Sequence, residues 1–333
     1  MMNYSFVAVS GYGKSGSGAC VDILKEFEYI GGLDREFRIA KDPFGLIDLE
    51  SSLVSNWEFV RHNTAIHNFI DYCNMLGRNE GLFTKTGKGF SDLLDVNFLN
   101  ETNRYIESIT DFKYFGDTLL QRYNLSVKEL LIQRLRSKLK LANKKQMYFS
   151  KASKDKFLSA TNFYIRNLFD NFANKNNLKV IVLDQAIPPN NISKSILYFN
   201  NPKIIIVDRD PRDIYATMIL EKRLLGADIA NSDTFEKYLI WHKSIRQQST
   251  SDINNPDLDG NILRLNFESF FVDYDNTLKR IKEFLSVDFY HKDKGLRFSP
   301  DTMQEHVGIW RNFSDQYTIS RIKEELIESC FID

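Results

Sequence analysis

Cysteine is scarce in this chain: Cys20, Cys73 and Cys330 are the only three in 333 residues, far apart and odd in number. No Cys-x-x-Cys pair and no Cys/His cluster offers a metal a tetrahedral ligand set, and the usage fits a reducing compartment. Long apolar runs are also missing. No stretch approaches the roughly 18 residues that a membrane span needs, and no basic segment followed by a long apolar run opens the chain. The expectation is a cytoplasmic protein, working there or at the inner face of a membrane. Excess charge is absent as well: 44 Lys plus Arg balance 44 Asp plus Glu. Bulk charge therefore excludes a dedicated nucleic-acid binder and leaves room only for local basic patches. No internal repeat is evident, and no Pro/Gly/Ser-rich linker divides the chain. What is present is ample core material, 43% hydrophobic and 13% aromatic, so global disorder is excluded. The length suits one α/β core with a sizeable insertion, or two unequal domains.

Phe6-Val7-Ala8-Val9 is a short, β-branched apolar run that stops at Ser10-Gly11 and reads as a buried strand. Cys20, Val21, Ile23, Leu24 and Phe27 then recur at helical spacing. Further strand-like runs occupy 180–183, 204–207 and 262–267, with helical patterns around 163–172 and from Arg212 towards Leu225. Strands alternating with helices predict an α/β fold, a mainly parallel central sheet covered by helices. Residues 50–165 show helical pattern and charge with no strand, and read as a helical insertion or lid within a single domain spanning 1–333.

Between the first strand and helix lies Ser10-Gly11-Tyr12-Gly13-Lys14-Ser15-Gly16-Ser17-Gly18-Ala19. Glycines and small hydroxyl residues let successive N–H groups converge on an anion, and the helix N-terminus adds its positive dipole end. A nucleotide-kinase loop needs Lys directly after its last glycine. Here Ser17 follows Gly16, and Lys14 lies two positions earlier. A second segment runs from Lys203 through Ile204-Ile205-Ile206-Val207 to Asp208-Arg209-Asp210-Pro211-Arg212-Asp213 and on to Thr217. It reads as a strand, then a helix with Pro211 in its first turn. Arg209 falls at the strand's C-terminal end, where open α/β sheets place ligands. Thr217 is eight positions further on. In a reading without a ligand, the first segment is a plain Gly-rich turn, and Arg209 and Arg212 form surface ion pairs with Asp208, Asp210 and Asp213. A third string, His306-Val307-Gly308-Ile309-Trp310-Arg311-Asn312, lies near the end; alone, Trp310 is as well explained by a core.

These three segments, in this order, resemble the sulfotransferases that use 3′-phosphoadenosine-5′-phosphosulfate (PAPS). Tyr12, Lys14, Ser15 and Gly16 match the family's Tyr-Pro-Lys-Ser-Gly-Thr-Thr loop for the 5′-phosphosulfate. Ser17 replaces the first Thr conservatively, while Gly13 for Pro and Gly18 for the second Thr are departures. Arg209 and Thr217 match the Arg and Ser that hold the 3′-phosphate, and a guanidinium fork suits a terminal phosphate. Gly308, Trp310 and Asn312 match a Gly-x-Trp-Lys-Asn segment that closes over the cofactor, with Arg311 keeping the Lys charge. The Arg-Lys-Gly triplet that often precedes it is replaced by Met303-Gln304-Glu305, so Arg311, His306 or Arg297 must complete the 3′-phosphate clamp.

The resemblance implies a P-loop-like sulfotransferase fold, PAPS as cosubstrate with the bisphosphate PAP as product, and Lys14 stabilising the departing phosphate during in-line transfer. It calls for no metal. The family's cytosolic members place a base His in a Lys-Thr-His-Leu-Pro segment; here Leu183-Asp184-Gln185-Ala186-Ile187-Pro188 puts Ala186 there. Asp184 becomes the candidate base, with His62, His67 and Glu36 behind it. The run from Glu36 to Gly45 resembles bacterial envelope-polysaccharide enzymes, which favours a carbohydrate or glycolipid acceptor. From Arg134 to Lys156 nine basic residues meet one acidic residue, Asp155; this is a solvated helix face, or a contact with an anionic glycan or lipid headgroup that salt would weaken. A small-molecule kinase and a nucleotide-binding module without catalysis are the competing readings. Oligomeric state is left open.

Overall fold

A computed structural model describes residues 4–79, 86–116, 125–139, 141, 145–190, 192–227, 233–253, 255, 258 and 260–331. In chain order its principal elements are β1 (Ser5–Gly11), α1 (Ser17–Leu24), β2 (Ile30–Gly32), α2 (Phe59–Gly77), α3 (Phe98–Ile109), β3 (Phe112–Phe115), α4 (Val127–Lys138), β4 (Gln146–Phe149), α5 (Lys154–Lys175), β5 (Val180–Asp184), β6 (Lys203–Asp208), α6 (Pro211–Leu220), α7 (Thr234–Ile253), β7 (Ile262–Asn266), α8 (Tyr274–Leu285) and α9 (Gln316–Glu325). They fall into two compact units, Met1–Lys41 with Ala173–Asp333, and Asp42–Phe172.

The first unit is built on a five-stranded sheet in the order β2-β5-β1-β6-β7, every pairing parallel. The apolar runs dictate this, because strands buried on both faces need no polar alternation. Val7 and Val9 of β1, Val180 and Val182 of β5, Ile205 and Val207 of β6 and Leu265 of β7 pack with Cys20, Ile23, Leu24 and Phe27 from α1 and its exit. Each such side chain contributes about 1.5–3 kcal/mol on burial. Register matters most at the C-terminal edge. Val9 pairs with Asp184, Gly11 with Val207, and Asp208 with Asn266. The segments that follow β1, β5, β6 and β7 therefore emerge side by side.

The second unit packs α2, α3 and most of α5 around aromatic side chains. Phe69, Phe98, Tyr105, Phe157 and Tyr164 are buried, and the Tyr105 and Tyr164 rings stack at 4.7 Å. The expectation of a strandless middle does not hold. β3 and β4 form an antiparallel pair, with Phe112 opposite Phe149 and their rings stacked at 4.6 Å. Two four-residue strands carry too little alternation to declare themselves, and a cross-strand aromatic pair holds them instead. The helix after β6 ends at Leu220, short of the expected Leu225. Among the described residues no helix is long and apolar enough to cross a membrane.

Candidate active site

The loop after β1 is bent by two left-handed residues, Lys14 at φ 68° and Gly16 at φ 80°. Ser15 N donates to the Tyr12 carbonyl at 3.0 Å, closing the turn; that amide is committed to the loop itself. Only glycine fits at position 16, since a Cβ would lie 2.3 Å from the Phe267 ring. Gly16 also caps α1 and offers the helix no side-chain acceptor. The first amides of α1, at Ser17 and Gly18, thus stand at a helix N-terminus with no cap, the local condition for anion binding. Ser15 Oγ is buried and has no hydrogen-bond partner among the described residues.

Beside this loop, Arg209 leaves the end of β6 almost wholly buried. Its Nη1 donates to the Lys14 carbonyl at 3.0 Å and its Nη2 to the His306 carbonyl at 2.6 Å. The Phe267 ring lies 5.0 Å beneath the guanidinium. Burial draws its pKa below the usual value, against the charges of Asp213 and Glu268. Among the described residues Arg209 Nε has no partner, and neither does the buried Thr217 Oγ1 on α6. The preceding residue, Asp208, takes ion pairs from Arg246 and Arg264, so the strand end is fixed from both sides.

Each acidic residue of the Asp-Arg-Asp-Pro-Arg-Asp run has a distinct task. Asp210 caps α6, accepting from Arg212 N at 2.8 Å, and holds the Arg212 guanidinium through both oxygens at 2.9 and 2.6 Å. This is a buried pair, where a surface one was expected. Asp213 accepts from Gly308 N at 2.8 Å and Trp310 N at 3.0 Å. The third sequence segment is thereby tied to the helix of the second. Gly308 sits at φ 74°, and the Arg212 guanidinium covers the Trp310 ring at 3.9 Å. Arg311 and Asn312 are exposed. Glu268 accepts from Asp210 N at 2.8 Å, and burial pushes its carboxyl up to about 7.

A cleft of about 440 Å³ opens over the loop, lined by residues 11–18 together with Glu36, Arg38, Lys41, Gln185, Asn190 and Trp241. Lys14 reaches into it and pairs with Glu221, one turn beyond Thr217 on α6. Gln185, at φ 58°, donates to Ser17 Oγ at 2.8 Å and accepts from Lys41. Asp184, one residue earlier, does not line this cleft. Burial and the Glu36 carboxylate push it up to about 6, against Lys41. His62 and His67 belong to the second unit; His62 Nδ1 donates to the Glu58 carbonyl at 3.1 Å and His67 Nε2 to that of Gln146 at 3.0 Å. Arg297, the other candidate cation, pairs with Asp34 at 3.1 Å.

The structure thus brings Tyr12 to Gly18, Arg209 and the 306–310 segment into one constellation within the first unit, whereas His62 and His67 belong to the second. Sequence reading missed Phe267, Asp213, Gln185 and Lys41. Phe267 and Gln185 did carry a signal, since each directly follows an apolar strand, as Arg209 does.

No curated protein matches the chain. Among solved structures, it is similar to the sulfotransferase domain of the curacin biosynthetic pathway, at 11% identity and TM-score 0.44, covering 100% of this chain and 99% of that one. A sulfotransferase from Mycobacterium avium follows at 11% identity and TM-score 0.42, covering 100% and 78%. Retinol dehydratase in complex with androsterone and the inactive cofactor PAP follows at 14% and 0.37, covering 99% and 81%. These scores are low, and the assignment rests on sequence. The family model of the sulfotransferase domain matches residues 7–311, a span that contains all three segments, and the chain belongs to the sulfotransferase family.

Proposed function

We propose that this sulfotransferase takes its sulfuryl group from PAPS and delivers it to a hydroxyl of a carbohydrate, on a polysaccharide or a glycolipid. One observation carries the reading. Among the described residues, Ser15 Oγ, Arg209 Nε and Thr217 Oγ1 are buried polar atoms without partners, at the positions that match the family's phosphate-holding residues. Leaving such groups unpaired costs about 1–3 kcal/mol each. All three can donate hydrogen bonds, which is what a doubly phosphorylated nucleotide requires, so the residues present fit PAPS.

When bound, PAPS supplies an activated sulfuryl group whose transfer leaves negative charge on the 5′-phosphate. The residues here that meet this demand are the uncapped amides at the start of α1, the Ser15 hydroxyl and the Lys14 ammonium. Lys14 is the only cation the loop itself carries, and positioned charge is the main catalytic resource in transfers of this type. Asp184, with its carboxyl raised to about 6, is ionised at neutral pH yet basic enough to accept a proton and, standing behind the cleft lining next to Gln185, would take it through one intervening water. The polar lining of the cleft, with Glu36, Arg38, Gln185 and Asn190 beside the Trp241 ring, suits a sugar better than a phenol or steroid. In this reading 1–333 is one catalytic domain, with 50–165 inserted in it.

Calorimetric titration with PAP, ATP and ADP, with and without magnesium, tests the proposal. Magnesium-independent binding of PAP is expected, weakened about 100-fold in Arg209→Ala. Preference for ATP with magnesium would sink it and favour a kinase. Failure to bind any of them would make the pocket a degenerate one.

A further inference from the structure

Helix α4 is an anomaly in the second unit. Its N-terminus is well made: Ser126 N donates to Glu129 Oε2 at 2.8 Å, and Glu129 N returns a bond to Ser126 Oγ, a capping box. Yet none of its residues is buried. Twelve residues of helix are marginal in water unless an apolar face is covered. Here Val127, Leu131, Ile132, Leu135 and Leu139 are between 53% and 75% exposed. Val127, Leu131, Leu135 and Leu139 follow one another at i, i+4 spacing and form a stripe, with Ile132 at its side. Glu129, Gln133, Arg136 and Ser137 take the opposite face.

Charge identifies what covers the stripe. Lys128, Arg134, Arg136 and Lys138 are cationic, whereas Glu129, the only acidic residue from 127 to 139, is engaged in the cap. A second copy of the helix would bring like charges together. A glycan would be met by aromatic rings, and α4 has none. An aliphatic stripe needs hydrocarbon. Lys128 and Lys138 lie among the aliphatic positions, and their long stems let the ammonium groups rise to headgroup level while the stripe stays buried. At 1.5 Å per residue, α4 is about 18 Å long, too short to span a bilayer and suited to lie in its surface.

We infer that α4 is a membrane-docking helix that lays Val127, Leu131, Leu135 and Leu139 into the interface of an anionic bilayer while its cations meet the lipid headgroups. This is independent of the chemistry proposed for the cleft. The test is flotation of the full chain with vesicles of phosphatidylcholine alone and with phosphatidylglycerol added, in 0.1 and 0.5 M salt. Binding to the anionic vesicles about tenfold above the neutral ones is expected, reduced at high salt. Both Leu131→Glu/Leu135→Glu and Arg134→Gln/Arg136→Gln/Lys138→Gln should abolish it, with thermal unfolding unchanged because no residue of α4 is buried. Equal partition between the two vesicle types, or no flotation, would overturn the inference. So would retained flotation in Leu131→Glu/Leu135→Glu, which would mean a contact by charge alone. A concentration-dependent dimer in light scattering that disappears in the same variant would assign the stripe to self-association and overturn it too.

Discussion

The two units differ in how many buried polar atoms they leave unpaired. In the second, hydroxyls pair with one another inside the core: Thr102 with Tyr164 at 2.8 Å, and Tyr105 with Thr161 at 2.8 Å. Thr102 and Thr161 also donate to the carbonyls of Phe98 and Phe157. The exceptions there are His62 Nε2 and Asn63 Nδ2. In the first unit the described residues leave more of them unpaired: Ser15 Oγ, Arg209 Nε and Thr217 Oγ1, and also both His242 nitrogens, Ser249 Oγ, Glu268 Oε2 and Tyr274 OH. A paired hydroxyl makes a core specific, whereas a buried donor with no partner is a cost that persists where a ligand repays it. The units also differ in the reach of their bonds. Arg209 joins residues at positions 14 and 306, while the second unit's hydroxyl pairs are confined to 102–164.

The largest effect that would sharpen this contrast is expected in Lys14→Ala. Turnover should fall by at least about 10³-fold in a radiolabel transfer assay, with PAP affinity lowered far less; a near wild-type rate would break the assignment of the loop. Next comes Asp184→Asn, which should lower kcat about 100-fold. Because Asp184 titrates at about 6, the wild-type rate should fall as pH drops through that value. Survival of that acid limb in the Asn variant would remove Asp184 from the role of base.

Glu26→Gln probes stability in the first unit. This buried carboxylate accepts from Arg297 N at 2.7 Å, Phe298 N at 2.9 Å, Gly295 N at 3.2 Å and His291 at 2.8 Å. Burial pushes its pKa up, but those donors outweigh burial and hold it below the ordinary value. The stabilisation is therefore present above the unfolded pKa, roughly 4.3, and disappears as pH falls through the folded value. Urea unfolding at neutral pH should show a loss of about 3 kcal/mol, with the gap to wild type closing in acid. A gap that persists at pH 3 would contradict the assignment. The smallest effect belongs to the second unit: Thr102→Val should cost about 1–2 kcal/mol and leave PAP binding untouched. A change in PAP affinity would erase the distinction between the units.

How much could be read beforehand follows from how local each signal is. β1, β5, β6 and β7 are continuous apolar runs and were legible. β2 was not, because Ile30-Gly31-Gly32 contains two glycines; Gly32 is required where a Cβ would lie 2.3 Å from the Val182 carbonyl, a proximity no local pattern reveals. β3 and β4, at four residues each, are too short to show a period. Lys14, Arg209 and Thr217 were legible as members of spaced motifs. The duties of Asp213 and Gln185 were not, since their partners lie 95 and 168 positions away. Arg212 was read correctly as an ion-pair residue but placed on the surface, because the cover that Trp310 gives it comes from a distant segment.

The clasp at Arg209 has a consequence for how the protein comes into being. β1 finds its neighbour β5 across some 175 positions, Ser5 beside Val180, and the guanidinium that steadies the loop needs the carbonyl of His306. Pairings of such sequence separation form late and slowly. On the ribosome, where chains emerge from the N-terminus at about 5–20 residues per second, the Gly-rich loop precedes residue 306 by about 290 positions and must wait some fifteen seconds or more for the partner of Arg209. A chain arrested before residue 306 would carry the complete loop sequence without the bond that steadies it, so the loop is clasped only after that residue has emerged.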